Sequence, residues 1–138
     1  MRVLRKILYP ILIVLTAFLS LTAAAGGIGL ISNLLVPPVE MLGNSPFTGY
    51  IVPGLALFLL VGGVALFATV LLVRKSRYGL LFANTAGVVI LFFEFVEVLV
   101  IGSPAGPAQF MQFFYFGLGT LITICAMGIW FVDLAEIH

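Results

Sequence analysis

Four long apolar runs restrict this chain to a single class of fold. The runs cover about residues 7–32, 51–73, 79–101 and 109–132. Each matches the length of about 20 apolar residues that a helix needs to cross the hydrocarbon core of a bilayer. Because backbone polar groups in lipid must be satisfied within the protein, such runs cross membranes as helices. We therefore predict an all-α integral membrane protein, a bundle of four transmembrane helices in a single domain over residues 1–138.

The composition agrees with a membrane protein and excludes several soluble classes. Only 8% of the residues are charged, whereas soluble domains carry about 25%. A formal net charge of +1 excludes a nucleic-acid binder built on a basic surface. Cys125 is the only cysteine and His138 the only histidine, so the serines lack a nearby base. We therefore expect no intrachain disulfide, no cofactor, no metal site and no enzymatic activity.

The basic residues predict how the helices cross the bilayer. All six lie before the first apolar run or between the second and the third, at Arg2, Arg5, Lys6, Arg74, Lys75 and Arg77. The positive-inside rule places these segments in the cytoplasm. Both termini are then cytoplasmic, and the loops at 33–50 and 102–108 face outward. Because short loops join antiparallel neighbours, the bundle has up-down-up-down topology.

Small and polar residues predict which helix faces meet. Helices in lipid associate through small residues and hydrogen bonds rather than through apolar burial. Such residues recur at helical spacing in every run, at Thr16, Ser20, Ala23 or Ala24, and Gly27; at Gly54, Gly62, Ala65 and Thr69; at Asn84, Gly87, Glu94 and Val98; and at Gln112, Gly119, Thr120 and Thr123. We expect these four faces to form the interior of the bundle.

Two carboxyl groups lie in the third apolar run, at Glu94 and Glu97. A charged side chain at the centre of a membrane helix costs about 2.5–3.5 kcal/mol on insertion scales. Both residues lie in the outer half of the run, with Glu97 closer to the interface. No lysine or arginine occurs in the other runs or in the outer loops, so Glu94 and Glu97 have no salt-bridge partner within the chain. We expect at least Glu94 to carry a proton at neutral pH, unless a cation arrives from outside the chain.

The remaining polar residues define a candidate site around this pair. The hydrogen-bond partners available to the carboxyl groups are Gln109, Gln112, Tyr115, Ser103 and Asn44. We predict an intramembrane polar site, for a partner or an ion, at Glu94, Glu97, Gln112, Tyr115 and Asn84. Glu40 and Asn44 in the first outer loop are expected at its outer mouth.

Residues 37–119 resemble a group of uncharacterised small bacterial membrane proteins with four spans. The shared pattern runs through Pro37-Pro38, Ser45-Pro46-Phe47, Pro53-Gly54, Gly62-Gly63, Ala86-Gly87, Glu97-Val98, Ile101-Gly102, Tyr115-Phe116 and Gly119. The resemblance implies the bacterial inner membrane and the topology given above, but no activity. In that group the position of Glu97 is usually Glu or Gln, preceded by a tryptophan where this chain has Phe93. Glu94 departs from the pattern, so Glu97 is the better candidate for a general role.

Three functions fit these observations. The first is a structural or accessory subunit that packs against a larger membrane assembly, either another membrane protein or further copies of itself. The second is a proton- or cation-linked transporter or channel that uses Glu94 and Glu97. The third is a binder of lipid or of a hydrophobic small molecule between aromatic walls, formed by Phe92, Phe93, Phe95, Phe110, Phe113, Phe114 and Phe116.

Overall fold

The computed structural model describes residues 2–31, 51–101 and 107–137, which are helical except for a turn at 74–78. The helices are α1 (Arg2–Ile31), α2 (Ile51–Ala56), a π-helical segment (Leu57–Gly62), α3 (Gly63–Val73), α4 (Gly79–Ile101) and α5 (Pro107–Ile137). The second apolar run contains α2, the π segment and α3, which follow one another without a break. We call these three together the second span.

Four helices are long and apolar enough to cross a membrane. The qualifying stretches are Val3–Gly29, Gly54–Val73, Gly79–Leu99 and Gln109–Ala135. The prediction of an all-helical protein with four candidate membrane spans is therefore confirmed. The fourth helix continues to Ile137, past the predicted end at residue 132.

The helices pack in a ring in which each contacts two main neighbours. α1 packs against the second span and against α5. α4 likewise packs against the second span and α5. The core between them consists of aliphatic side chains that are fully buried, including Leu12, Leu19, Val61, Leu72, Ile90, Ile122 and Ile129. Dispersion among such close-packed side chains stabilises the bundle, because lipid is as apolar as the core.

Polar side chains connect α1 to the second span through hydrogen bonds. The hydroxyl of Tyr9 donates to the carbonyl of Leu72 at 2.6 Å. Ser20 donates to the carbonyl of Gly62, the last residue of the π segment, at 3.1 Å. A π turn leaves its backbone bonds less regular than an α turn does, and Ser20 provides one carbonyl there with an additional donor.

Two glycines allow α4 and α5 to approach closely. A Cβ atom at Gly119 would lie 2.7 Å from Cγ2 of Ile90 and 3.1 Å from the backbone oxygen of Gly87. A Cβ atom at Gly87 would meet Oγ1 of Thr123. These positions therefore accept no side chain without a shift of the neighbouring helix.

Most members of the four predicted inner faces lie inside the bundle. Thr16, Gly54, Gly62, Gly87 and Gly119 are among those that are buried. The prediction for Thr120 was wrong, because its side chain is exposed on the outside of the bundle. Its hydroxyl donates to the carbonyl of Phe116 at 2.7 Å, which satisfies a polar group in lipid without a neighbouring helix.

Candidate functional site

Glu94 points into the bundle and not toward the lipid. Its side chain is only 2% exposed, and Gln112 and Tyr115 of α5 are buried to a similar degree. The hydroxyl of Tyr115 lies within electrostatic reach of both Glu94 and Glu97, and beside Thr22 of α1. The structure thus brings together α1, α4 and α5 around the two carboxyl groups. We call Glu94, Glu97, Gln112 and Tyr115 the acidic cluster.

The carboxyl groups of Glu94 and Glu97 are electrostatic neighbours. A carboxylate can only accept a hydrogen bond, so a hydrogen bond between the two would require that at least one of them carries a proton. Oε2 of Glu94 is buried and has no hydrogen-bond partner among the described residues. Glu97, one turn further along α4, is half-buried and is therefore the more accessible member of the pair.

Aromatic rings hold Tyr115 in place. The ring of Phe114 contacts the ring of Tyr115 edge-on, with centroids 5.4 Å apart. It also contacts Phe18 of α1 at 5.6 Å and stacks with Phe110 at 6.5 Å. Such edge-on pairs add about 0.5–1.5 kcal/mol beyond burial. The Tyr115 hydroxyl has no hydrogen-bond partner in good geometry within the described chain, so it is positioned by packing.

Asn84, predicted at the same site, lies elsewhere. It precedes Glu94 by ten residues of α4, which is about 15 Å along a helix. Fully buried Ile90 and Ile122 lie along the stretch between the two positions. The interior therefore has two polar regions with an apolar layer between them. The predicted outer mouth, Glu40 and Asn44, lies outside the described residues.

Asn84 instead lines a cavity of about 770 Å³ at the other end of the bundle. Arg5, Lys6, Lys75 and Arg77 also line this cavity, and we call this end of the bundle the basic end. The basic residues were interpreted above only as an orientation signal. Their convergence on one cavity depends on the packing of α1 against the second span, which the sequence does not specify.

One ion pair closes part of the basic end. Nε of Arg5 donates to Oδ1 of Asp133 at 2.8 Å. The guanidinium of Arg5 also lies 5.0 Å from the ring centre of Tyr9. Both partners of the pair are partly exposed, so the pair contributes at most about 1 kcal/mol. Its main effect is to fix the end of α5 beside the start of α1.

Most of the phenylalanines that were predicted to form aromatic walls lie on the outside of the bundle. Four of the phenylalanines are exposed on the outside of the bundle, namely Phe92, Phe95, Phe110 and Phe113. Phe93, Phe114 and Phe116 are partly buried. The exposed rings therefore lie on the outer surface of the bundle, and the third predicted function stays a prediction.

The acidic cluster offers oxygen atoms as possible ligands for an ion. Among the described residues, no group of three or more His, Cys, Asp or Glu side chains comes together. The cluster instead offers two carboxyl groups, an amide and a hydroxyl. These oxygen ligands suit a proton or a hard cation that retains part of its water.

Comparisons with protein-family models, with curated proteins and with solved structures find no match to this chain. The resemblance to small bacterial four-span membrane proteins therefore stays a prediction.

Proposed function

We propose that this protein is a non-enzymatic multi-pass membrane protein that takes up a proton or a small cation at Glu94 and Glu97. The observation that carries the proposal is the burial of Glu94 with a carboxyl oxygen that no described residue bonds. An intramembrane carboxyl group is costly and usually marks a site of ion or proton exchange. Packing alone needs no carboxyl group at this position.

We also propose that the helices alternate in direction and that the basic end is cytoplasmic. Support comes from contacts in which residue numbers rise along one helix and fall along the next, as in Tyr9 with Leu72, Thr16 with Thr69 and Ser20 with Gly62. The start of α1 and the 74–78 turn contribute to one cavity, so their basic residues share one side. The positive-inside rule makes that side cytoplasmic, in a bacterial inner membrane.

In this orientation the acidic cluster takes up its proton or cation from the outer side of the membrane. Glu97 is nearer the outer end of α4 and receives the proton or cation first. Glu94 holds it in the interior, and the nearby hydroxyl of Tyr115 can donate to whichever carboxyl group becomes charged. The apolar layer at Ile90 and Ile122 closes the way to the basic end. The state described here therefore binds without conducting, and transport would require this layer to open.

Cation binding can be tested by the protons that it releases. The protein in detergent at fixed pH is mixed with Na⁺, K⁺, Mg²⁺ or Ca²⁺, and released protons are measured with a pH-sensitive dye. We expect release from the wild type and its loss in the double variant Glu94→Gln, Glu97→Gln. Glu136→Gln, the same chemical change near the end of α5, serves as the control. Unchanged release from the double variant would contradict the proposed site.

A second candidate is the accessory subunit, and the outer face of α5 favours it. Gly117 is exposed with no atom near the place of a Cβ, and exposed Thr120 lies one turn further on the same face. Small residues on a lipid-facing surface allow another helix to approach closely. The partner is either another membrane protein or a second copy of this chain.

The variant Gly117→Leu tests whether the outer face of α5 contacts another helix or faces only lipid. A Cβ atom at this position meets no described atom within 4 Å, so we expect the fold to be retained while a close helix contact is blocked. We expect co-purification with the partner, or self-association in mild detergent, to be lost in this variant. Gly63→Leu is the matched control, because Gly63 is also exposed with open space around it. Equal association of both variants and the wild type would argue against the α5 face.

A further inference from the structure

Among the described side chains, the cavity at the basic end is lined by more basic groups than carboxylates. Arg5, Lys6, Lys75 and Arg77 line it, and Asp133 is the carboxylate on its wall. Asp133 is already bonded to Arg5. No carboxylate of a described side chain pairs with Lys6 or Lys75. The cavity is therefore complementary to an anion.

The same cavity has an apolar wall that faces the bilayer. Leu81, Met127 and Trp130 line it, and all three side chains are exposed on the outside of the bundle. Trp130 is of the residue type that lies at the level of lipid headgroups. A soluble anion would use the basic side chains but would gain nothing from this wall. An amphiphile with an anionic head uses both.

Asn84 adds a hydrogen-bond acceptor to this cavity wall. It lies about 7 Å along α4 from the start of that helix, at the usual rise per residue. Its Oδ1 atom is buried and has no partner among the described residues. A buried amide oxygen without a partner is unfavourable, and a rotation of the Asn84 side chain toward the cavity would let a hydroxyl group on the headgroup of the ligand donate to it.

We propose that this cavity binds the headgroup of an anionic phospholipid from the surrounding leaflet. The phosphate lies among Lys6, Lys75 and Arg77, and a headgroup hydroxyl reaches Asn84. The acyl chains leave along Leu81, Met127 and Trp130 into the bilayer. Basic pockets between membrane helices on the cytoplasmic side bind lipid headgroups by this chemistry.

The test measures which lipids remain bound to the full chain. The protein is placed in nanodiscs with equal amounts of phosphatidylglycerol and phosphatidylcholine, and the retained lipids are counted by native mass spectrometry. We expect preferential retention of phosphatidylglycerol, and a decrease of about fivefold for Lys6→Gln or Lys75→Gln. Both side chains are exposed, so the variants keep the fold.

Arg74→Gln is the matched control. Arg74 is in the same turn and is exposed, but it does not line the cavity. We expect it to retain phosphatidylglycerol as the wild type does. An equal decrease of retained phosphatidylglycerol in Lys6→Gln, Lys75→Gln and Arg74→Gln would overturn the proposed site. The basic residues would then attract anionic lipid only through their general charge. Displacement of the lipid by millimolar inorganic phosphate would also overturn the proposal, because the ligand would then be a free anion.

The role of Asn84 has its own comparison. Phosphatidylmethanol carries the same phosphate charge as phosphatidylglycerol but no headgroup hydroxyl. We expect the wild type to prefer phosphatidylglycerol over it, and Asn84→Leu to lose that preference while keeping the preference over phosphatidylcholine. Equal retention of the two anionic lipids by the wild type would overturn the proposed hydroxyl contact.

Discussion

Four residues of the acidic cluster illustrate what residue spacing alone can predict. Glu94, Glu97, Gln112 and Tyr115 were predicted as one site because the two carboxyl groups share a helix face and the next run offers them hydrogen-bond partners. Their convergence in the structure needs only antiparallel α4 and α5. Asn84 lies on the same face of α4 as Glu94 but at a different level in the bundle, because about 15 Å along the helix separates the two residues. Thr22 was missed because its side of α1 depends on the rotation of that helix.

The hydroxyl of Tyr115 provides a prediction at this scale. It forms no hydrogen bond in good geometry with the described residues, while the neighbouring Thr22 donates to the carbonyls of its own helix. We therefore expect Tyr115→Phe to change the free energy of unfolding by less than about 1 kcal/mol. The same variant should weaken ion uptake at the cluster. Thermal unfolding and proton release on the same sample separate the two effects, and a large loss of stability would contradict this description.

Lys75 gives a second prediction. Its φ of 55° is left-handed, and its N–H bonds the carbonyl of Leu72 while the N–H of Ser76 bonds that of Leu71. This is the Schellman pattern at a helix C-terminus, where glycine is preferred. We expect Lys75→Gly to raise the free energy of unfolding by about 1 kcal/mol relative to Lys75→Ala, which removes the same charge but keeps the strain. Equal thermal midpoints for the two variants would be inconsistent with this turn.

The existence of the helices was predictable at the element scale, whereas their irregularities and ends were not. Long apolar runs specify membrane helices because lipid leaves the backbone no other partner. Nothing in the sequence of the second span predicts the π segment at Leu57–Gly62, which packs against α1 in the structure. Likewise α5 extends to Ile137, where Asp133 contacts Arg5. That contact depends on which helices are neighbours.

The crossing of α4 and α5 gives a prediction for these elements. A methyl group at Gly119 would lie 2.7 Å from Ile90, whereas one at Gly117 meets nothing. We expect Gly119→Ala to destabilise the protein by about 1–3 kcal/mol through overpacking. Gly117→Ala should be neutral or slightly stabilising, since alanine favours a helix over glycine. Thermal unfolding of the pair in detergent checks this, and equal stability of the two variants would place the crossing elsewhere.

At the scale of the whole molecule, the bundle has two polar regions with different chemistry. The acidic cluster lies on one side of the Ile90 and Ile122 layer, and the basic cavity lies on the other. In the orientation that we propose from the positive-inside rule, the two regions face different compartments. The sequence predicted this charge asymmetry from the distribution of basic residues alone. It did not predict a cavity, because a cavity is a property of how the helices diverge at one end.

The orientation can be measured with cysteine labelling. In a Cys125→Ala background, Ser76→Cys places a thiol in the turn between α3 and α4. We expect a membrane-impermeant maleimide to label it in inside-out vesicles and not in intact cells. Labelling in intact cells would contradict the proposed orientation. It would show that the turn faces outward and that the acidic cluster lies toward the cytoplasm.

The protonation of Glu94 tests the central claim most directly. Infrared difference spectra of the protein in lipid between acidic and alkaline pH report each carboxyl group as its proton leaves. We predict a protonated carboxyl band that persists at neutral pH in the wild type and in Glu136→Gln, disappears from the wild type at alkaline pH, and is absent from Glu94→Gln. Identical spectra for Glu94→Gln and the wild type would contradict a proton-holding site at Glu94.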